Sequence, residues 1–224
     1  MNITATMVKE LRDKTGAGMM DAKKALVEVD GDMEKAMEVL RQKGMASADK
    51  KMGRIAAEGR IGSFVNETAG AMIEVNCETD FVAKNAEFIE LTNGLAQMVA
   101  ETNPADVDAL LASVCPKCNK PVADVIKEKI ASIGEKITVR RFVRYEGNVA
   151  TYIHNGKIGV LLNTDAKDEV LAKDVCLHIA SSAPEFVSRK DIPAHVIEEE
   201  TRIERGKEDL AKKPEQIRAK IVEG

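Results

Sequence analysis

The sequence predicts an α+β protein with a small N-terminal helical module, two similar α+β subdomains built on antiparallel hairpin sheets, and a protruding helical tract. Apolar residues recur with helical spacing near the N-terminus and then alternate with a period of two, and a hairpin-plus-helix pattern occurs twice. From these patterns we divide the chain into a three-helix domain at 1–44, a helical connector at 45–58, a first core subdomain at 59–136, and a second core subdomain with the helical tract at 137–224.

Composition and charge exclude several classes of function. The chain has 224 residues, of which 44% are hydrophobic and 31% are charged, as in an ordinary globular protein. Its formal net charge of −4 argues against general nucleic-acid binding, which normally needs a basic excess. No apolar stretch approaches membrane-spanning length, and the N-terminus lacks the apolar region of a signal peptide. We therefore expect a cytoplasmic protein that binds neither nucleic acid directly nor a membrane.

The N-terminal module shows three short helical patterns. Val8 and Leu11 mark the first helix, and Gly16 ends it because glycine readily adopts the left-handed conformation. A turn with a capping aspartate at Asp32 precedes the third helix, which we expect to end at Gly44. Three helices of this size form a marginal core, and such modules usually bind partners.

Three residues of this module are candidate partner contacts. Met19 and Met20 are expected in the loop after the first helix, where each is as well suited to the core as to a partner surface. Arg12 falls on the exposed side of the first helix, where most arginines are merely solvated.

The central and C-terminal parts carry the strand patterns. Residues 60–65 and 71–77 alternate and form a predicted hairpin, and residues 137–145 open the second subdomain as a strand. Residues 149–163 form a second hairpin. A helical pattern follows each hairpin, at 169–182 in the second case. The similarity of the two arrangements predicts one α+β unit used twice.

The junction after the strand at 71–77 is the main candidate site. Thr79 or Asp80 suits a helix N-cap, which accepts hydrogen bonds from the unpaired N–H groups of the first turn. Phe81 then lies at the start of the helix, where its own element covers it poorly. Either Asp80 caps and Phe81 packs back on the sheet, or the pair forms an exposed hot spot for a partner.

Catalytic and metal-binding motifs are missing from the sequence. It has no phosphate-binding loop, nucleophile elbow or HExxH motif. Cys115 and Cys118 have CxxC spacing, but a structural zinc site needs four ligands, so an exposed loop is the default and a redox pair the enzymatic alternative. We therefore expect no enzyme activity, no cofactor and no metal site.

The chain resembles the translation elongation factor Ts family of bacteria and organelles. The segments that carry the resemblance occur in order along the chain: 8–21 (VKELRDKTGAGMMD), 74–85 (EVNCETDFVAKN), 158–161 (IGVL) and 183–187 (APEFV). The resemblance implies a guanine-nucleotide exchange factor for the GTPase elongation factor Tu, acting in bacterial cytoplasm or in an organelle. It also implies a ubiquitin-associated-type N-terminal domain.

The resemblance also assigns roles to individual residues. The segment Thr79, Asp80, Phe81 and Val82 would dislodge the partner's Mg²⁺ ion, and Phe81 would enter between two helices of the GTPase domain. We expect Asp80 to cap the helix that carries Phe81 and to perturb the metal's surroundings.

Further contacts are implied on either side of this segment. The positions Arg12, Met19 and Met20 would grip the GTPase domain, and His154 would contact another domain of the partner. Family members usually continue past Gly224 into a further helical module. The competing interpretation is a scaffold of the translation machinery that binds without promoting exchange, and a homodimer also stays open.

Overall fold

The computed structural model describes residues 3–211 and 213–223, and the chain divides into two compact units, Met1–Ser181 and Ser182–Gly224. The predicted α+β class is confirmed. In chain order the first unit contains α1 (Ala5–Thr15), α2 (Met19–Glu28), α3 (Met33–Lys51), β1 (Glu58–Val65), β2 (Ala69–Cys77), α4 (Asp80–Ala83), α5 (Ala86–Thr102), α6 (Val107–Ala112), β3 (Val114–Cys115), β4 (Lys120–Pro121), α7 (Val122–Ile133), β5 (Thr138–Glu146), β6 (Val149–His154), β7 (Ile158–Asn163) and α8 (Glu169–Ser182), whose last residue opens the second unit.

The three N-terminal helices begin and end with specific capping residues. The Thr4 hydroxyl accepts a hydrogen bond from the Met7 N–H at 3.3 Å, and Gly16 ends α1 with a φ of 68°. As predicted, the Asp32 carboxylate caps α3, accepting from two backbone N–H groups at 3.1 Å. The helices share a small core of buried aliphatic side chains: Val8, Leu11, Ala22, Ala25, Leu26 and Ala36.

Gly44 does not end the third helix, contrary to the expectation from the sequence. Helix α3 continues through it to Lys51, so the boundary expected at 44/45 lies inside a helix. A Cβ atom at position 44 would lie 2.9 Å from the Cβ of Ala131 on α7, which is closer than carbon atoms can pack. The glycine therefore permits close approach of two helices, at a cost of about 0.5–1 kcal/mol of helix stability relative to alanine.

The main sheet has the strand order β1-β2-β5, with both pairings antiparallel. Its central strand β2 is almost wholly buried, and α5 contributes Phe88, Leu95 and Val99 to the same core. Strand β5 belongs to this sheet, so the boundary expected at 136/137 separates a strand from its hydrogen-bonded neighbour. The local pattern of residues 138–146 indicated a strand but carried no information about its partner.

The second predicted hairpin is formed by β6 and β7, which pair with each other in a separate two-stranded sheet. Helix α8 follows it, so a hairpin followed by a helix occurs twice, as predicted. The tip of this hairpin is joined to the main sheet by a hydrogen bond from the Ile61 N–H to the Gly156 carbonyl at 2.8 Å.

The second unit consists of helices. A 3₁₀ turn at Arg189–Asp191 precedes α9 (Ala194–Arg205), α10 (Glu208–Ala211) and α11 (Glu215–Glu223). Ser188 and Asp191 form a reciprocal capping box around the 3₁₀ turn. The tract predicted as helical is mainly helical but is interrupted at residues 206–207 and 213–214. Lys212 lies outside the described residues, and the protrusion of the tract stays a prediction. No helix in the described ranges is long and apolar enough to cross a membrane.

Candidate partner-binding site

The junction between β2 and α4 is a tight strand-to-helix corner. Thr79 is the N-cap of α4, and its hydroxyl accepts a hydrogen bond from the Val82 N–H at 3.4 Å. Asp80 is instead the first helical residue, and its carboxylate accepts a hydrogen bond from the Lys84 ammonium at 2.7 Å. The capping role expected for Asp80 is therefore wrong, because the preceding hydroxyl already occupies that position.

Glu135 holds the corner from a distant part of the sequence. Its carboxylate accepts hydrogen bonds from the N–H groups of Glu78 and Thr79, at 3.0 and 2.9 Å. It also accepts one from the Thr79 hydroxyl, at 2.6 Å. These bonds satisfy two backbone donors that the end of β2 leaves unpaired, and bonds to a charged acceptor are stronger than neutral ones. We call residues 78–79 and 135–136 together the corner clamp.

The clamp is reciprocal. The Glu78 carboxylate accepts a hydrogen bond from the Lys136 N–H at 2.7 Å and pairs with the Arg54 guanidinium at 3.3 Å. The hydrogen bond from Lys136 is the main cause that holds the pKa of Glu78 below its usual value. The Cys77 thiol also donates to the Thr79 carbonyl at 3.2 Å. The chain can thus bend sharply at this point without leaving its polar groups unpaired.

Helix α4 presents Phe81 to solvent. The Phe81 side chain is 83% exposed, whereas Ala83 is buried and Val82 packs partly against the main core. The hydrogen bond and the charge of Lys84 lower the pKa of Asp80, so this neighbouring carboxylate is ionised at neutral pH. The corner therefore displays an aromatic ring next to a negative charge, on a backbone that the clamp fixes.

The candidate residues of the N-terminal module are also at the surface. Met19 and Met20 are 47% and 64% exposed. They form the first turn of α2 rather than a loop, because the break after α1 covers only residues 16–18. The Arg12 guanidinium makes no hydrogen bond or ion pair within residues 3–211 and 213–223, although its backbone carbonyl accepts from Gly16.

His154 lies at the end of β6 and is exposed. Its Nδ1 atom is 2.9 Å from the Tyr152 hydroxyl, and its Nε2 atom is 3.2 Å from the Asn155 amide nitrogen. Asn155 and Lys84 line one cleft of about 610 Å³, so the tip of this hairpin and the end of α4 border the same depression. The other lining residues are Arg60, Ile61, Ser63, Asn93, Ile153 and Gly156.

Sequence reasoning missed Glu135. The signal available was weak: a glycine that ends α7, followed by an acidic residue and a lysine before a strand. Nothing in that local pattern indicates a hydrogen bond to a residue 56 positions earlier. Within the described parts of the chain, no three His, Cys, Asp or Glu side chains are arranged to hold a metal ion.

The surface carries an exposed aromatic side chain on a clamped corner, exposed methionines, and an arginine that pairs with no other described residue. These features are typical of a protein that acts by binding another protein. A family model described as "Elongation factor TS" matches residues 78–224. Curated relatives named "Elongation factor Ts" extend the similarity over the whole chain. The relative from Alkalilimnicola ehrlichii is 49% identical over 229 residues, which cover 100% of this chain and 78% of that protein.

Two further relatives agree. The protein from Syntrophotalea carbinolica is 48% identical, with 100% of this chain and 77% of the relative covered. The protein from Chromobacterium violaceum is 49% identical, with 99% and 77% covered. The chain therefore belongs to the elongation factor Ts family of translation elongation factors.

Proposed function

We propose that this protein binds the GTPase elongation factor Tu and promotes the exchange of its bound GDP for GTP. The observation that carries the proposal is the exposed ring of Phe81 on the corner that Glu135 holds. Membership of the elongation factor Ts family supports the choice of partner. The bacterial relatives support action in a bacterial-type cytoplasm.

Exchange requires a difference in affinity and no covalent chemistry. A GTPase holds its nucleotide through backbone amides and a Mg²⁺ ion that bridges the phosphates. A partner that binds the empty GTPase more tightly than the loaded one weakens nucleotide binding by the same factor, because linkage is reciprocal. The side chains of this protein therefore need to favour a GTPase conformation in which the magnesium site is disrupted.

Phe81 is suited to produce such a difference. Burial of a phenylalanine ring in a partner contributes roughly 1.5–3 kcal/mol, which corresponds to about one to two decades of affinity. If the pocket for the ring exists only in the open GTPase, the whole contribution favours that state. The corner clamp matters because a flexible corner would lose part of this free energy to ordering.

One ring is not sufficient for near-complete reversal of the nucleotide equilibrium, which needs about 5.5 kcal/mol. We propose that Arg12, Met19 and Met20 on the N-terminal helices, together with His154 on the second hairpin, supply further contacts. All four side chains are exposed. Methionine side chains adapt readily to a partner surface, and an arginine without a partner loses no existing ion pair on binding.

Asp80 has a distinct proposed role. It neighbours Phe81 and is ionised, with Lys84 as its only ion-pair partner within the described residues. If the ring enters the GTPase, the negative charge of Asp80 would come close to the partner's Mg²⁺ and would perturb the oxygen ligands that hold it. Thr79 and Val82 serve as the cap and the anchor of this segment.

The test is the release of fluorescently labelled GDP from elongation factor Tu, followed by stopped flow with and without the full chain. We expect release to accelerate with protein concentration and then to saturate, and added Mg²⁺ to oppose the acceleration. A chain that binds the GTPase in a pull-down but leaves the release rate unchanged would instead be a scaffold, which would refute the proposal.

A further inference from the structure

Two cysteines lie close together at the tip of a short hairpin. Strand β3 pairs with β4 so that Cys115 lies opposite Lys120. Asn119 adopts a left-handed backbone with a φ of 51°, and its N–H donates to the Cys115 carbonyl at 2.9 Å. The loop therefore curls back on itself. Residues 115 and 118 are consequently neighbours within one turn of the folded protein.

The surroundings make the two thiols unequal. Cys115 is half-buried against the main core, and Cys118 is exposed. Partial burial raises the pKa of Cys115, but hydrogen bonds from the Cys118 thiol and from the backbone of Cys118 and Lys117 outweigh it and lower the pKa. The same shared hydrogen bond raises the pKa of Cys118. Cys115 is consequently the first of the pair to form a thiolate, which is the nucleophilic form of cysteine.

The remaining two cysteines are inert by comparison. Cys77 and Cys176 are both buried. Burial, with the charge of Glu135 as a second cause, raises the pKa of Cys77 to about 11, and burial also raises that of Cys176. The protein thus carries its own internal controls for thiol reactivity.

We propose that Cys115 and Cys118 form a reversible oxidation site, which a hydroperoxide converts into an intramolecular disulfide. The Cys115 thiolate attacks one peroxide oxygen, the O–O bond breaks, and the leaving hydroxide takes a proton to become water. The product is a sulfenic acid on Cys115. The Cys118 sulfur then attacks the Cys115 sulfur, the S–O bond breaks, and a second water leaves. One dithiol and one hydrogen peroxide give one disulfide and two waters, and an external dithiol reverses the change.

The structure favours this dithiol over a zinc site. Tetrahedral structural zinc requires four ligands, usually two such cysteine pairs. Among residues 3–211 and 213–223, no third His, Cys, Asp or Glu side chain joins these two in an arrangement that could hold a metal. The disulfide would close a ring of only the four residues 115–118.

The experiment counts free thiols on the intact chain. The reduced full-length protein is treated with graded hydrogen peroxide, denatured, alkylated with N-ethylmaleimide and weighed by mass spectrometry. The chain has four cysteines, so we expect four adducts before oxidation and two afterwards, with all four restored by dithiothreitol. Peptide mapping should link Cys115 to Cys118. On the native protein, brief alkylation should modify Cys115 at least roughly tenfold faster than Cys77 or Cys176.

Single substitutions separate the two roles. In Cys118→Ser the reaction should stop at a sulfenic acid on Cys115 that dimedone traps, because no resolving thiol is nearby. In Cys115→Ser oxidation of Cys118 should be slow, and in Cys176→Ala the disulfide should form as in the wild type. Three results would each overturn the proposal. The first is four adducts after peroxide treatment, and the second is a disulfide between two chains in place of the internal one. The third is a zinc ion that stays bound in native mass spectrometry.

Discussion

The two hairpins of this protein share a sequence pattern but are held in very different ways. In the first, β2 lies between β1 and β5, α5 covers it, and the corner after it is fixed by Glu135. In the second, β6 and β7 form a separate sheet, which is joined to the main sheet by the backbone hydrogen bond from Ile61 and by an ion pair between Lys157 and Glu58. One repeated unit thus provides a clamped strand-to-helix corner in the first case and a hairpin in a separate sheet in the second.

This difference indicates how each hairpin can contribute to binding. Our proposal makes Phe81 the residue that enters the partner, and such a residue needs firm support, which the corner clamp supplies. His154 is held by hydrogen bonds to Tyr152 and Asn155, which are themselves on the same hairpin. A side chain of this kind suits a contact that adds affinity at the edge of an interface.

The largest stability difference should appear between a buried side chain of the first region and an exposed side chain of the second. Phe88 is fully buried under the main sheet, so Phe88→Ala should lower the free energy of unfolding by about 3–5 kcal/mol. Ile158 on β7 is 47% exposed, so Ile158→Ala should change it by no more than about 0.5 kcal/mol. Urea unfolding followed by circular dichroism measures both. Equal losses would contradict the difference in burial between these two side chains.

The next largest effect concerns the corner clamp. Glu135→Ala leaves two N–H groups and a hydroxyl without their acceptor, so we expect a loss of about 1–3 kcal/mol in the free energy of unfolding. Glu135→Gln retains one acceptor oxygen and should restore part of the stability and part of the GDP-release activity. Glu67→Ala, at an exposed turn carboxylate, is the matched control.

A purely structural Glu135 would give a different outcome. Glu135→Ala and Glu135→Gln would then lower the free energy of unfolding. At temperatures where both variants are folded, they would still bind elongation factor Tu and promote exchange as well as the wild type does. A clamp that positions Phe81 predicts slower exchange under those same conditions.

These residues show what the sequence could and could not predict. Features that depend on neighbours within a few residues could be predicted. They are the α+β class, both hairpins, the caps at Gly16 and Asp32, and the choice of Thr79 or Asp80 as a cap. Glu135 could not be found because its partners are more than fifty positions away. Gly44 was misinterpreted because its role, close contact with Ala131, is visible only when two helices pack.

A smaller effect is expected at the tip of the second hairpin. His154→Ala should weaken binding to elongation factor Tu by less than about fivefold, as is common for residues at an interface edge, and should leave stability unchanged. His178→Ala, at another exposed histidine on α8, is the control and should have no effect on binding. A titration of labelled GTPase by fluorescence anisotropy measures both. A His154 effect as large as that of Phe81 would remove the distinction between the two hairpins.

The smallest effect is a pH dependence in the clamp. The pKa of Glu78 is held below its ordinary value of 4.5, so its ionised form stabilises the folded state above that value. This contribution is lost as the pH falls through the lowered pKa. The stability difference between wild type and Glu78→Gln should therefore be constant above about pH 5.5 and shrink below pH 4.5. A difference that grows on acidification would show that the sign is wrong.

The central claim is that an exposed ring on a rigid corner opens the nucleotide site of the GTPase. The most direct test measures how fast GDP leaves elongation factor Tu in the presence of the Phe81→Ala variant. Ile55→Ala is the matched control, because the Ile55 side chain is 84% exposed and that of Phe81 is 83% exposed. We predict that Phe81→Ala slows stimulated release by about tenfold or more without loss of stability, while Ile55→Ala matches the wild type. Equal release rates for Phe81→Ala and wild type would contradict the account.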